Sequence, residues 1–292
     1  MEAEIPQRIT GRTELLGLIA YPIRHSQSPR MHNLALAKLG LDYAYLCFEI
    51  DDQELPAALD ALRTLKVRGW NVSMPNKVPI VPLLDHVSPA VEMIGACNTV
   101  VNDNGVLTGH ITDGIGYVEA LADEGIAAEG LRLTQIGAGG VGTAIAVQCA
   151  LSGAERIDLF NRRDPMWEKA EQTVATIRAR TSTEVSLHDL DELEAFRESV
   201  AGADVLANTT NVGMGKLEGV SPLPDPSVLR SDLFVSEVVY SPLKTRFLEQ
   251  ADQAGCRFMN GIPLMLHQGA AAFKLWTGED MPLDYVREHL FE

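Results

Sequence analysis

The chain has 292 residues, 46% hydrophobic and 22% charged, enough for one large or two ordinary domains with substantial cores. Forty acidic against 24 basic residues leave a net charge of −16, a surface that repels nucleic acid and anionic membranes, so neither is expected as a partner. Four scattered cysteines, Cys47, Cys97, Cys149 and Cys256, lack metal-ligand spacing and read as small core residues in a reducing compartment, with no metal expected.

Residues 1–12 are polar and expected to be loose. The opening Met1–Pro6 has neither the basic nor the apolar region of a secretory signal, and no apolar run approaches the roughly 18 residues of a membrane span. A cytoplasmic, soluble protein is the expectation. The apolar run Leu15–Ala20 predicts a strand, and a helix follows from Ser28 to Leu39, stopped by Gly40. Between them Ser26 and Ser28 stand at S-x-S spacing beside a helix N-terminus, where two hydroxyls can hold a carboxylate. Taken alone, Ser28 reads as the helix N-cap, with Pro29 at the first helical position.

Tyr43–Ile50 predicts a second strand and Glu54–Lys66 an amphipathic helix, with Leu55, Leu59, Leu62 and Leu65 at helical spacing. Gly69–Ser73 is a third strand, and Pro75-Asn76-Lys77 is expected to begin another helix. Lys77, directly after a buried strand, would point toward a cleft rather than outward. Cys97–Val101 and Val106–Ile111 flank Asn102-Asp103-Asn104-Gly105, a hairpin turn. Asn98 is a buried turn residue or a ligand donor. Asp113 alone reads as the N-cap of the next helix; near Lys77 it would hold the ammonium and share its proton. This alternation predicts a mixed sheet flanked by helices.

From Gly114 onward the pattern is regular βα repetition. A helix near Gly116–Glu124 precedes strands at Leu131–Ile136, Arg156–Phe160, Glu184–Leu187, Val205–Asn208, Leu233–Val239 and Cys256–Met259. The last helix, Leu264–Trp276, is rich in small and apolar residues and is expected to return to cover the first domain.

The first strand of this series runs into Gly137-Ala138-Gly139-Gly140-Val141-Gly142, glycines spaced G-x-G-x-x-G ahead of an alanine-rich helix. Gly137 permits the tight turn, Gly139 lets backbone approach a pyrophosphate, and Gly142 lets helix and strand pack closely. The next strand ends in Asn161-Arg162-Arg163-Asp164, where a dinucleotide fold meets the adenosine ribose. A carboxylate there accepts from the ribose 2′-OH, whereas arginines welcome a 2′-phosphate. Asp164 therefore argues for NAD, while Arg162 and Arg163 keep NADP open.

Taken together, the motifs resemble shikimate dehydrogenases, and most closely their bifunctional quinate/shikimate branch. The matching stretches are Gly17–Asn33 with its HSxSP core, Asn71–Lys77 (NVSMPNK), Gly95–Val100 (GACNTV), Asn208–Met214 (NTTNVGM) and Gly261–Thr277 (GIPLMLHQGAAAFKLWT). They run in register along almost the whole chain. The resemblance implies an α/β protein of two domains. An N-terminal substrate domain with a mixed sheet, residues 1–113, is completed by C-terminal helices in 262–292. A Rossmann domain with a doubly wound parallel sheet occupies 114–261.

The implied reaction is reversible, NAD(P)-dependent oxidation of the 3-hydroxyl of shikimate, quinate or both, with a small-molecule substrate and a homodimer left open. Carried over residue by residue, Lys77 and Asp113 form the catalytic pair, and Ser26 and Ser28 hold the substrate carboxylate. Ser73, Asn98 and Gln268 hold ring hydroxyls, Asn71 lies on the substrate side, and Tyr45 matches a carboxylate-contacting tyrosine of the bifunctional branch. Ala138 to Val141 fall at the pyrophosphate and Asn161 to Asp164 at the adenosine. Asn211, Val238, Tyr240, Ser241 and Gly261 fall near the nicotinamide half. Family members specific for NADP carry Asn-Arg-Thr and a further arginine at the ribose; Asn161-Arg162-Arg163-Asp164 departs from this and agrees with the charge argument for NAD.

Three other readings compete. One is an NADP-linked biosynthetic shikimate dehydrogenase, and another an aminoshikimate-type enzyme acting on a nitrogen-substituted ring. The third, a non-catalytic NAD-sensing module, predicts loss of the lysine or the aspartate, and both are present. Folate-linked methylene dehydrogenases also use a lysine, but the S-x-S site and GACNTV do not fit them.

Overall fold

The computed structural model describes residues 9–290; most of the N-terminal stretch expected to be loose lies outside the described residues. Contacts divide the chain into two units. One runs to Thr112 and resumes at Gln268, and the other is Asp113–His267.

In the first unit, β1 (Glu14–Ala20), α1 (Ser28–Leu39), β2 (Tyr43–Glu49), α2 (Leu55–Thr64) and β3 (Gly69–Val72) follow the apolar periodicities of the sequence. After them come β4 (His86–Val87), α3 (Pro89–Ile94), β5 (Thr99–Asp103) and β6 (Val106–His110). The sheet order is β2-β1-β3-β5-β6-β4, with β1 parallel to β2 and β3, and β5 antiparallel to β3 and β6. The mixed sheet matches the expectation. The β5–β6 hairpin turns on Asn104 (φ 55°) and Gly105 (φ 95°), the two positive values a tight right-twisted hairpin requires.

Two local expectations are corrected. No α-helix begins at Pro75–Lys77: the chain makes turns and then a short 3₁₀ segment, Val81–Leu83. Pro75, Pro79 and Pro82 each remove a backbone donor, so a continuous i→i−4 ladder cannot form. Ser28 is the first helical residue of α1 rather than its cap; Gln27 precedes it, and the Ser28 N–H is taken by the Ser26 hydroxyl at 3.1 Å.

The second unit contains α4 (Asp113–Asp123), β7 (Arg132–Ile136), α5 (Gly140–Leu151), β8 (Arg156–Asn161), α6 (Trp167–Arg180), β9 (Glu184–Asp189) and α7 (Leu193–Gly202). It continues through β10 (Val205–Asn208), β11 (Phe234–Glu237), α8 (Arg246–Gln253) and β12 (Arg257–Met259). The six strands are all parallel, in the order β12-β11-β10-β7-β8-β9. Numbered from β7, this is the doubly wound 3-2-1-4-5-6 order, with its switch point between β7 and β10. Ile136, Phe160, Phe196, Leu206, Val235 and Phe247 fill a core on this sheet.

The unit boundary falls within α9 (Gly261–Thr277), whose latter part, with α10 (Leu283–Leu290), counts with the first unit. Trp276, 1% exposed, donates its indole N–H to the Val100 carbonyl at 2.9 Å, and its own carbonyl accepts from Arg68 Nε at 3.0 Å. The end of α9 thus lies against the mixed sheet. Beneath it His32 of α1 is fully buried, stacked on Tyr45 with ring centroids 4.5 Å apart and 5.3 Å from Trp276. Neither His32 nitrogen finds a hydrogen-bond partner, and burial pushes its pKa down to about 3, so the ring is neutral. No helix among the described residues is long and apolar enough to cross a membrane.

Candidate active site

Hydrogen bonds join five of the expected substrate residues of the first unit, Ser26, Ser28, Tyr45, Asn71 and Asn98. The Ser28 hydroxyl bonds to that of Tyr45, which donates to Asn71 Oδ1 at 2.6 Å. Asn71 Nδ2 donates to Thr99 Oγ1 at 3.1 Å and to the Asn98 carbonyl at 3.2 Å. Thr99 Oγ1 donates to Asn98 Oδ1 at 3.0 Å, and Asn98 Nδ2 donates to Thr112 Oγ1 at 3.1 Å. Ser28, Tyr45, Asn71 and Asn98 are therefore one hydrogen-bonded run, with Ser26 joined to it through the Ser28 N–H. Burial holds the Tyr45 phenol well above its usual pKa, so it remains a neutral donor. Such a run fixes every amide orientation and presents a rigid set of donors and acceptors, suited to a polyol.

Ser73 and Lys77 follow the C-terminal end of β3. The Ser73 N–H donates to the Ile19 carbonyl at 3.0 Å, and the Lys77 carbonyl accepts from the Cys97 N–H at 2.8 Å. The half-buried Lys77 is thereby tied to the segment carrying Asn98. Gln268 lies half-buried on α9. Thr99 and Thr112 complete the run but were not singled out from the sequence. Both sit beside residues that were, and a polar residue adjacent to a buried asparagine was the available signal.

In the second unit, Asp113 is the first residue of α4 and only 9% exposed. A cavity of about 470 Å³ opens where the strands on either side of the switch point end. Gly137, Ala138 and Gly139 form one side, and Thr209, Thr210, Asn211 and Val212 the side after β10. Gly137 has φ 101°, a value that favours glycine. A Cβ on Gly142 would stand 2.5 Å from Thr209 Oγ1 and 2.6 Å from the Gly137 carbonyl, so this position tolerates no side chain. A Cβ on Gly139 would meet nothing within 4 Å, leaving open space against bare backbone.

The first intrahelical bond of α5 runs from Thr143 N–H to the Gly139 carbonyl. Gly140, Val141 and Gly142 thus have first-turn N–H groups without helical acceptors, the donor set that suits a pyrophosphate. The cradle fits a dinucleotide.

Asn161, Arg162 and Asp164 line the same cavity. Asn161 Oδ1 accepts from Ala138 N–H at 3.2 Å, joining the glycine turn to the end of β8. Asp164 Oδ1 accepts from Met166 N–H at 2.8 Å and Asn161 Nδ2 at 3.3 Å, which holds its carboxylate on the wall. Arg163 is not among the lining residues: its Nε donates to Asp189 at 3.0 Å and its guanidinium lies 4.4 Å from the Trp167 ring centroid. Val238, Tyr240, Ser241 and Gly261 also stand outside this lining. They cluster past β11, where the Gly261 N–H bonds the Val239 carbonyl at 2.8 Å and the residue packs on Val238 backbone. Thr209 and Thr210, within the NTTNVGM stretch, are wall residues too, and the motif gives no sign of which of its residues face the cavity.

The shikimate dehydrogenase substrate-binding domain matches residues 18–100, and the shikimate 5′-dehydrogenase C-terminal domain matches 261–291. A shikimate dehydrogenase (NADP(+)) of Listeria monocytogenes is 52% identical over 291 residues, the full length of both chains. A shikimate 5-dehydrogenase from Listeria monocytogenes, crystallised with shikimate and NAD, superposes with a TM-score of 0.96 at 52% identity, over 99% of this chain and 100% of its own. A quinate dehydrogenase from Corynebacterium glutamicum in complex with NAD gives 0.84 at 31% identity, over 96% and 98%. Full-length identity of this order, on a mixed sheet and a 3-2-1-4-5-6 parallel sheet with a glycine-turn cradle, leaves one assignment: the chain belongs to the shikimate dehydrogenase family, a group of nicotinamide-dependent oxidoreductases.

Proposed function

We propose that the protein reversibly oxidises the 3-hydroxyl of shikimate to 3-dehydroshikimate, accepts quinate as a related substrate, and favours NAD. The observation that carries this reading is the hydrogen-bonded run from Ser28 through Tyr45 and Asn71 to Asn98, a connected polar network built largely of buried side chains. Ser26 and Ser28 hold the carboxylate, with Tyr45 behind them. Ser73, Asn98 and Gln268 hold the ring hydroxyls.

Ala138 to Val141 hold the pyrophosphate, Asn161 to Asp164 the adenosine, and Asn211, Val238, Tyr240, Ser241 and Gly261 the nicotinamide half. A bound nicotinamide supplies a hydride acceptor for the carbinol carbon. Lys77, as the neutral amine, takes the hydroxyl proton during oxidation and, as ammonium, returns it during reduction. Asp113 is the carboxylate of that proton exchange.

NAD is supported by the Asp164 carboxylate on the cavity wall, which accepts from a ribose 2′-OH and repels a 2′-phosphate. A second reading, NADP, is favoured by Arg162 on the same wall, which no carboxylate pairs among the described residues, and by the NADP(+) relatives. Steady-state rates with shikimate and quinate, each against NAD and NADP, test the proposal. Turnover of shikimate with NAD above NADP is expected; no turnover of either acid with either nucleotide overturns it. Lys77→Ala should lower kcat by about 10² or more while nucleotide affinity holds.

A further inference from the structure

Glu237 ends β11 and is 1% exposed, an acidic side chain that neither the substrate nor the nucleotide assignment uses. Both carboxyl oxygens accept from the Thr245 hydroxyl, at 2.9 and 3.0 Å, and the Asn208 side chain donates to it as well. Asn208 ends β10, and its amide organises the loop that follows. Its Oδ1 accepts from Thr210 N–H at 3.1 Å and Thr210 Oγ1 at 2.7 Å, while Nδ2 donates to the Val212 carbonyl at 3.2 Å.

The Thr210 N–H and the Val212 carbonyl give the amide its sense, and the Glu237 carboxyl, a second acceptor for Nδ2, ties that amide to the end of β11. The loop so fixed, Thr209 to Val212, is one wall of the 470 Å³ cavity. On the other side Glu237 is followed directly by Val238, whose N–H donates to the Asn208 carbonyl at 3.0 Å.

We propose that Glu237 is a positioning residue for the nicotinamide nucleotide, anchoring the Asn208 amide and through it the cavity wall Thr209–Val212. The inference rests on the reading that this cavity holds the nucleotide.

Only Asn208 and Thr245 bond to the carboxyl among the described residues. The ionisable groups on the neighbouring elements are engaged elsewhere. Lys244 pairs with Asp252 and Arg246 with Glu249 at α8, Arg257 of β12 pairs with Glu124, and Tyr117 of α4 bonds to Ser236. Strand β10 carries no ionisable side chain. With no cation to offset burial, Glu237 is pushed up to about 7. The ionised form accepts from both donors. The protonated form carries an O–H that must itself find an acceptor, in competition with the Asn208 and Thr245 donors. Nucleotide affinity therefore rises with pH through this range.

Calorimetric titration of the full chain with NAD and with NADP, either side of pH 7, tests this. The wild-type Kd should tighten about tenfold from the acid to the alkaline side, an effect the size of one charge-assisted hydrogen bond. Glu237→Gln keeps the shape but turns one acceptor into a donor; its Kd should be about tenfold weaker above pH 7 and flat with pH. Thr245→Val removes one donor and should move the midpoint upward, which decides the matter if Glu237→Gln does not fold. Wild-type affinity and pH response in Glu237→Gln, or an unmoved midpoint in Thr245→Val, overturns the positioning role. A wild-type chain that binds neither nucleotide overturns the cofactor reading itself.

Discussion

Replacing His32 by phenylalanine should make the first unit less sensitive to acid. The imidazole lies fully buried against Tyr45, Phe273 and Trp276, with both nitrogens unpartnered and its pKa pushed down to about 3. In the unfolded chain the same ring takes a proton near its ordinary value of 6.5. The folded state refuses that proton until about 3, so this contribution to stability is complete above 6.5 and is lost as pH falls toward 3.

At pH 5, one and a half units below the unfolded value, the loss is about 2 kcal/mol, at roughly 1.4 kcal/mol per unit. Phenylalanine keeps the stacked ring and removes the titration. Any overpacking cost from its extra ring atom is the same at both pH values and cancels. The stability difference between His32→Phe and wild type should therefore shift by about 2 kcal/mol in favour of the variant between pH 7 and pH 5. Urea unfolding followed by tryptophan fluorescence in a Trp167→Phe background reads this unit, because the remaining tryptophans, Trp70 and Trp276, both belong to it. A difference that stays constant across that interval refutes the account of a buried neutral histidine.

Tyr45→Phe removes the donor to Asn71 Oδ1 and should raise KM for the polyol acid several-fold, with the nucleotide KM unchanged; equal effects on both would contradict the placement of this run on the substrate side. Asp164→Ala should weaken NAD and shift preference toward NADP, measured as the ratio of the two kcat/KM values. Gly142→Ala forces a methyl against Thr209 and the Gly137 carbonyl. It should lower stability by about 1–3 kcal/mol and nucleotide affinity with it, checked by thermal unfolding and calorimetry.

Where local chemistry alone decides, the sequence was a good guide. Gly40 ends α1 in the left-handed conformation, Asn104-Gly105 makes the hairpin, and the glycine run opens α5 behind β7. Misreadings arose where several constraints met. Pro75 suggested a helix start because proline suits a first turn, but Pro79 and Pro82 prevent any continuation. Ser28 has the chemistry of a cap, yet Ser26 performs that service and frees the Ser28 hydroxyl for Tyr45. The short β4 and α3 carry too few residues to show a periodicity. Glu237 falls inside the expected strand Leu233–Val239, but nothing in the sequence shows that its partner is an asparagine 29 positions away.

Trp276 and the Val100 carbonyl that receives its indole proton are 176 positions apart. On a ribosome adding about 5–20 residues each second, the strand waits on the order of ten seconds or more for its lid. During that interval the mixed sheet lacks the indole that lies over Gly69, while the second unit emerges as one continuous stretch. The earliest-made part of the molecule is thus the last to be finished, and any truncation that removes the terminal helices should damage the beginning of the chain more than its middle.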